Sequence, residues 1–439
     1  MTEGVVKYAM RPVSQLQDDG ILLVEDGNHG EYRPRGDEFG DGEYSFIRAA
    51  NLDSGRVLFK SAERINDKAV ERIRKGVGQG GDILFSHKGT VGKLALTPLD
   101  SPPFVCSPQT TFWRSLDQER LDRRYLYCFM QSRAFTEQWM ARSNETDMAA
   151  YVSLTAQRQL KVAVPTIEEQ RAIGSILGAL DDKIEQNRRT AQALERLAQA
   201  IFRAWFVDFE PVKAKAAGAT EFPSTPQPVF DALPTRFVDS DIGPVPEGWE
   251  VKSLSEIATF LNGLALQKYP PRNDGEDLRV IKIAELRKGS TDGADVANSD
   301  VPEEYVIDDR DLLFSWSGTL EAAFWFGGKG ALNQHLFKVT SLQFPRWFSF
   351  HWIRQHLPWF RTIAASKATT MGHIKREHLQ DAQVIVPSAA VLREADHVVA
   401  PLHDIQAQLM IESRKLAAMR DYLLPKLLSG NVRVEAAHG

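Results

Sequence analysis

Gly81-Asp82-Ile83-Leu84-Phe85-Ser86, followed by Gly89-Thr90, is the stretch on which the reading of this chain turns. The apolar run Ile83-Leu84-Phe85 between two glycine-containing turns reads as a short buried strand. The pattern recurs as Arg310-Asp311-Leu312-Leu313-Phe314-Ser315 with Gly318-Thr319. Upstream, Phe46-Ile47-Arg48-Ala49-Ala50-Asn51-Leu52 matches Val280-Ile281-Lys282-Ile283-Ala284-Glu285-Leu286. Downstream, Gln109 and Phe112 match Gln334 and Phe337. Aromatic helix-like segments follow, Tyr125 to Trp139 and Trp347 to Phe360. Each copy ends in an apolar strand stopped by proline, Val162 to Pro165 and Val384 to Pro387. The offset between copies drifts slowly, from 234 through 229 and 225 to 222, as small loop deletions would produce. The chain is read as an internal repeat.

A long helical pattern follows each copy. Thr166 with Glu169 three residues on resembles a capping box. Apolar or small residues then recur at Ile173, Leu177, Leu180, Ile184, Ala191, Leu194, Ala198, Ile201 and Trp205, with Asn187 the polar exception. The second pattern is Val398, Leu402, Ile405, Leu409, Leu416, Met419 and Leu423, with Glu412 its exception. No proline lies between 166 and 210, so about 40 residues could be helical, roughly 60 Å. Sustained heptads suggest a coiled coil, and equivalent places in a repeat favour pairing of the two helices over two helices lying separately on the domains. Between the copies, Pro211 to Pro246 holds seven prolines and reads as an extended linker. The expected organisation is a globular domain over 1–165, a long helix over 166–210, a Pro-rich linker over 211–245, a second, similar domain over 246–387 and a second long helix over 388–439.

The chain has 439 residues, 43% of them hydrophobic and 25% charged, which excludes a mostly disordered chain and a membrane-spanning one. No basic segment followed by an apolar core opens the sequence, so no signal peptide is expected. Two cysteines, Cys106 and Cys128, suit a reducing, cytoplasmic setting. A net charge of −5 speaks at first against a nucleic-acid binder. It averages over unlike stretches, however. Residues 48–98 carry ten basic against five acidic side chains, and 310–380 carry nine against three, with five histidines besides. The acid is concentrated elsewhere, eight against two from Glu285 to Asp309. Matched basic stretches in two copies point to phosphate contact.

Candidate DNA contacts lie where side chains project from strand ends. His87, Lys88 and Thr90 follow one apolar strand, and Trp316 and Thr319 follow its counterpart; the bland alternative is a hairpin turn built on Gly89 and Gly318. Arg48 and Lys282 end strands at matched positions, for phosphate contact or for surface ion pairing. Asn28, His29, Arg33 and Arg35 form a polar loop that could reach bases. Lys93 and Lys329 belong to the basic stretches, and Lys367, His373, Lys375 and Arg376 form a basic cluster in the second copy. Arg to guanine and Asn or Gln to adenine are the chemical defaults for base reading. Trp205 and Phe206 could present a partner-binding stripe or pack at the helix end.

With these residues assembled, the sequence resembles the specificity (S) subunits of Type I restriction-modification enzymes. Pro165-Thr166-Ile167-Glu168-Glu169-Gln170 resembles the entry to the family's first conserved helical region, and Ala204-Trp205-Phe206 its exit. Pro246-Glu247-Gly248-Trp249 with Leu254 and Ile257 looks like the opening of a target recognition domain. Gly81-Asp82-Ile83-Leu84 with Gly89-Thr90 is similar to the mid-domain motif. Two departures stand out. The second copy has Ala390-Val391-Leu392 in place of Glu-Glu-Gln, and a less well capped helix is expected there; the first copy lacks the Pro-x-Gly-Trp opening. The resemblance implies an α+β fold with a pseudo-twofold repeat: two similar target recognition domains and two long helices pairing as an antiparallel coiled coil. It implies a non-catalytic subunit that reads a bipartite target in double-stranded DNA. The helices set the spacing and dock two modification (methyltransferase) subunits, for which Glu168, Glu169, Gln170, Trp205 and Phe206 are candidates. In restricting complexes two restriction (helicase-nuclease) subunits join. No cofactor is expected in this chain; S-adenosylmethionine, ATP and Mg belong to the partners.

A different class, a stand-alone amino-group DNA methyltransferase, is raised by Ser101-Pro102-Pro103-Phe104 and Phe326-Gly327-Gly328-Lys329-Gly330, which fit a catalytic and a cofactor loop. Both strings lie just upstream of Gln109 and Gln334, nearly the same place in two copies, so one catalytic domain cannot use them as different parts. A structural coiled-coil scaffold is the third reading. No Gly-x-x-x-x-Gly-Lys-Ser/Thr loop, His-Glu-x-x-His or Cys-x-x-Cys pair is present, and His351 and His356 are expected on an aromatic helix surface.

Overall fold

The computed structural model describes residues 8–27, 29–143, 150–366 and 372–432. They form two compact units, one of residues up to Lys183 with those from Leu416 onward, the other Ile184–Lys415.

In the first unit all four residues of the Ile83–Ser86 strand are buried. Ile83 and Phe85 face one apolar cluster with Trp113 and Phe129, and Leu84 faces another with Ile47, Phe104 and Phe112. Covering both faces explains a continuous apolar run where a half-exposed strand would alternate. This strand belongs to an antiparallel sheet ordered Leu22–Asp26, Thr110–Ser115, Ile83–Ser86, Leu94–Leu96. A second sheet is ordered Glu63–Ile65, Phe39–Ile47, Phe104–Cys106, Val77–Gly78, with its two middle strands parallel.

The second unit repeats this strand for strand. One sheet is Thr259–Asn262, Leu336–Thr340, Leu312–Ser315, Ala322–Phe324; the other is Val296–Ala297, Leu278–Ile281, Gly330–Leu332, Val306–Ile307, again with a parallel middle pair. Arg310 stands where Gly81 does, and both keep a left-handed backbone, φ 74° and 87°. The Arg310 guanidinium is tied to Asp404 at 2.8 Å. The Gly-Asp turn thus has a structural purpose. The Asp82 carboxylate accepts the Gln79 N–H at 2.8 Å, and Asp311 accepts that of Asp308 at 2.9 Å.

The register corrects one expected match. Ser86 pairs with Thr110 and Ser315 with Leu336, so Phe112 is equivalent to Lys338 and Gln109 to His335. Phe337 is instead the counterpart of Thr111. A one-residue slip moves a side chain to the opposite face of a strand. Accordingly Phe112 packs beside Leu84, while Phe337 packs beside Phe314.

The first long helix is Ile167–Phe202 and the second is Ala389–Leu428. Thr166 and Glu169 form the expected reciprocal cap, 3.1 and 3.4 Å. The second helix is capped as well. Ser388, in the place of Thr166, accepts the Val391 N–H with its Oγ at 3.4 Å, but Val391 stands where Glu169 does and returns no side-chain bond, so the cap is the weaker one expected. The two polar exceptions of the heptads meet. Asn187, buried, donates to Glu412 at 2.7 Å. Gln406 donates to Glu195 at 2.9 Å in the same unit, so rising numbers on one helix meet falling numbers on the other and the pair is antiparallel. In the first unit Arg420 donates to Asp181 at 2.8 Å. A buried Asn187 among apolar heptad positions fixes register, because a slipped pairing leaves its amide without a partner.

The proline-rich segment is not extended. It folds into the helices Glu210–Ala216 and Gln227–Ala232, each with proline near its start, where no backbone N–H is needed. Val212, Val229, Phe230 and Leu233 are buried in the second unit's core. Lys215 Nζ donates to the carbonyls of Phe230, Asp231 and Leu233 at 2.7–2.8 Å. The apolar residues spaced among the prolines decide the outcome, since their burial outweighs the extended preference. His351 is likewise buried, not on a surface, with its Nε2 3.0 Å from His403 Nε2. Burial lowers both imidazole pKa values, so the pair is neutral at pH 7. Among the described residues no helix is long and apolar enough to cross a membrane.

Candidate nucleic-acid interface

In each unit the parallel strand pair and the antiparallel sheet end on a common rim. In the first unit, Ser107 N–H donates to Ile47 O at 2.8 Å, and Thr110 Oγ1 reaches the same carbonyl at 3.1 Å, tying one sheet to the other. The chain leaving Ser86 is held on both sides: His87 N–H donates to Gln109 O, and Val152 N–H to His87 O, both at 2.9 Å. Gly89 N–H then donates to Ala150 O at 3.1 Å. This rim gathers Asp26, His29, Arg48, Lys88, Thr90, Lys93, Gln109 and Tyr151. The second unit repeats the frame. Trp316 N–H donates to His335 O at 3.4 Å, Ile374 N–H to Trp316 O at 2.9 Å and Gly318 N–H to Gly372 O at 2.8 Å. Asn262, Lys282, Ser317, Thr319, Gln334, His335 and His373 collect there.

Two glycines let the strands come close enough. A Cβ on Gly27 would lie 2.2 Å from Cys106 O, and one on Gly263 2.3 Å from Asn333 O. Their N–H groups donate at equivalent places, to Thr110 O and Leu336 O. We expect Gly263→Ala to cost about 1–3 kcal/mol, the overpacking range, measured by urea unfolding. A loss below about 0.5 kcal/mol would show that the rim yields easily.

The expected contact residues divide clearly. Lys88 and Thr90 are exposed on the tip, with Lys88 Nζ 5.7 Å from the centre of the Tyr151 ring. Thr319 is exposed at the matching tip. His29 is exposed and lies 3.1 Å from Asp26. Arg48 is ion-paired with Glu63 and stacks over Phe39 and Phe46. Lys282 is ion-paired with Asp295, and Lys93 donates to Ala49 O at 3.2 Å. Surface ion pairs therefore hold Arg48 and Lys282, and a backbone carbonyl holds Lys93. Lys375 pairs with Glu377 at 3.1 Å beside an exposed Arg376. Arg33 and Arg35 are exposed on a loop pinned by Arg72, whose guanidinium reaches the Glu31 and Arg33 carbonyls and the Glu38 carboxylate. Hydrogen bonds from Arg72 and from the Arg35 backbone bring the Glu38 pKa down to about 2. Lys329 is exposed but precedes the Gly330–Leu332 strand, at the end away from the rim. Asn28 and Lys367 lie outside the described residues.

The expectations for His87 and Gln170 are corrected, and Trp205 and Phe206 take the packing alternative. His87 is fully buried, its Nδ1 3.1 Å from Val152 O, with burial lowering its pKa; it supports the tip from beneath. Gln170 is buried too, bridging Asp122 N–H to the carbonyls of Arg120 and Pro165, so it ties the helix to its own unit. Trp205 and Phe206 sit on a wide turn, Arg203–Val207, that sends both rings inward. Trp205 Nε1 donates to Thr225 at 3.1 Å, and Phe206 packs on Trp249 and Trp347. Glu168 stays exposed and Glu169 half-buried in its cap. Trp316 is half-buried, its Nε1 donating to Asn262 Oδ1 at 2.7 Å. The rim residues missed by sequence reasoning are Tyr151, Asn262, Ser317 and His335; it noted Gln109 and Gln334 as a repeated pair and not as rim residues. The only sequence signal for the last two was their recurrence. Among the described residues no cluster of three or more His, Cys, Asp or Glu is placed to hold a metal ion.

Comparison with known proteins gives a family. The Type I restriction modification DNA specificity domain matches twice, at residues 28–196 and 246–414. The specificity subunit of the Type I restriction enzyme MjaIX of Methanocaldococcus jannaschii is 25% identical, over 91% of this chain and 89% of that protein. The specificity subunit of the HindI enzyme of Haemophilus influenzae is 24% identical, over 88% and 94%. A crystal structure of a Type I restriction-modification S subunit from M. genitalium shares the fold, with a TM-score of 0.52 at 14% identity and 97% of both chains covered. The repeated sheets, the paired long helices and the two family matches carry one conclusion: this chain belongs to the Type I restriction-modification DNA specificity family.

Proposed function

We propose that this chain is a non-catalytic DNA-recognition subunit of a Type I restriction-modification complex, each rim reading one half of a bipartite double-stranded target. The observation that carries this reading is the repetition of the strand-end rim, with the same backbone frame and different side chains on it. A shared frame gives two domains one docking mode, and different side chains give them different half-sites. Lys88, Thr90, His29, Arg33 and Arg35 serve the first domain; Thr319, Lys375, Arg376 and the ion-paired Lys282 serve the second. Arg48 and Lys282 exchange their acidic partners for phosphates. The recognition domains span 1–165 and 246–387, and the helices over 166–210 and 388–439 set the spacing. Two modification subunits dock there, with Glu168 and Glu169 as contacts, and supply the S-adenosylmethionine chemistry. Restriction subunits add ATP-driven cleavage. The complex works in the cytoplasm.

The methyltransferase alternative is disfavoured by register. Phe104 and Gly330 open equivalent strands, pairing alongside Ser45 and Arg279. The test is methylome sequencing of the host with and without this gene. Loss of a bipartite methylated motif is expected; an unchanged methylome refutes the reading. Tight S-adenosylmethionine binding by the purified chain alone would favour the enzyme.

A further inference from the structure

The corner where the second rim enters the Leu336–Thr340 strand holds a prebuilt polar chain. Ser317 is buried, with Oγ 3.0 Å from His335 Nδ1. Gln334 Nε2 lies 3.4 Å from His335 Nε2. The Gln334 carbonyl accepts from Trp316 Nε1 at 3.2 Å. With the imidazole proton on Nδ1 and donated to Ser317, Nε2 is an acceptor and takes one amide hydrogen of Gln334. The carboxamide then keeps one N–H and its oxygen, a donor beside an acceptor. That pair matches N7 and the N6 amino group of adenine in the major groove. Backbone and side chain are both fixed beforehand, which lowers the ordering cost of a contact. The first rim sets a carboxamide at the same corner, one residue away in register. Gln109 is exposed and occupies the place of His335.

We propose that Gln334 is a base-reading residue, specifying one A·T pair in the half-site of the second domain, with His335 as its positioning residue. This rests on the rim being the DNA-reading surface. The experiment is methylome sequencing of host cells carrying Gln334→Ala or His335→Phe in the full complex, beside the wild type and a gene deletion. Thermal melting of each purified variant checks the fold. Gln334→Ala is expected to melt as wild type, keep the first half-site and the spacer, and lose the A·T requirement at one position of the second half-site. In duplex binding by the assembled methyltransferase, discrimination at that position falls roughly ten- to a hundredfold. His335→Phe should relax the same position partially and no other. An unchanged motif, a change in the first half-site, or uniform loss of methylation by a normally melting Gln334→Ala each overturns the assignment. If the deletion strain loses no bipartite motif, the specificity-subunit reading itself fails, an outcome distinct from all of these.

Discussion

Asp82→Ala should lower the stability of the first unit by about 3–5 kcal/mol, the range for stripping one member from a buried ion pair. Asp82 is fully buried, and its two oxygens take Arg114 Nε and Nη2, each at 2.7 Å. Desolvation raises its pKa and the Arg114 hydrogen bonds oppose that shift. Removing the carboxylate leaves a mostly buried guanidinium with only the Val77 carbonyl and the face of Phe112 for company. In the second unit the partner is Lys338, 3.1 Å from Asp311, and both side chains are 18% exposed. Asp311, unlike Asp82, is partly in solvent already, and Lys338 keeps the Val306 carbonyl at 2.9 Å, so Asp311→Ala should cost less, about 1–2 kcal/mol. Denaturant unfolding followed by the fluorescence of Trp113, on the neighbouring strand, checks the first value. A loss under about 1 kcal/mol would mean that Arg114 finds water or another acceptor.

Removing seven residues from each long helix at facing positions should shorten the spacer of the methylated motif. Seven residues are about 10 Å of helix, and B-DNA rises about 3.4 Å per base pair, so the expected change is up to about three base pairs. Deleting whole heptads keeps the Asn187–Glu412 contact and the apolar seam in phase. Methylome sequencing reads the spacer directly, and an unaltered spacer refutes the role of the helices in setting it.

The repeat was legible because it is written in turn residues and buried strands, both of which are local. An aspartate before an apolar run and Gly-Thr after it mark the same strand twice. The long helices were legible from their heptads, and even the two polar exceptions, Asn187 and Glu412, proved informative once paired. Three features were not legible. The Phe112 and Phe337 match failed because identity along a strand says nothing of which face a residue takes. The 211–245 segment misled because proline density was weighed and the burial of Val212, Val229 and Phe230 was not. The candidate site was the least legible part. Exposure, not residue type, separates Lys88 from its buried neighbour His87. Exposure at a strand end depends on returning segments more than sixty residues away, such as 150–152.

The first unit is not closed by the first part of the chain. Leu427 and Leu428 are buried in its core, together with Leu16, Leu121 and Leu160. During synthesis the sheets of the first unit therefore wait, with that surface uncovered, until residues 427–428 have left the ribosome. The second unit, drawn from a continuous stretch, has all its residues earlier. Domains of a growing chain commonly fold from the amino terminus onward; here the order of completion is reversed. A messenger cut short would thus leave the amino-terminal unit, not only the missing end, unfinished.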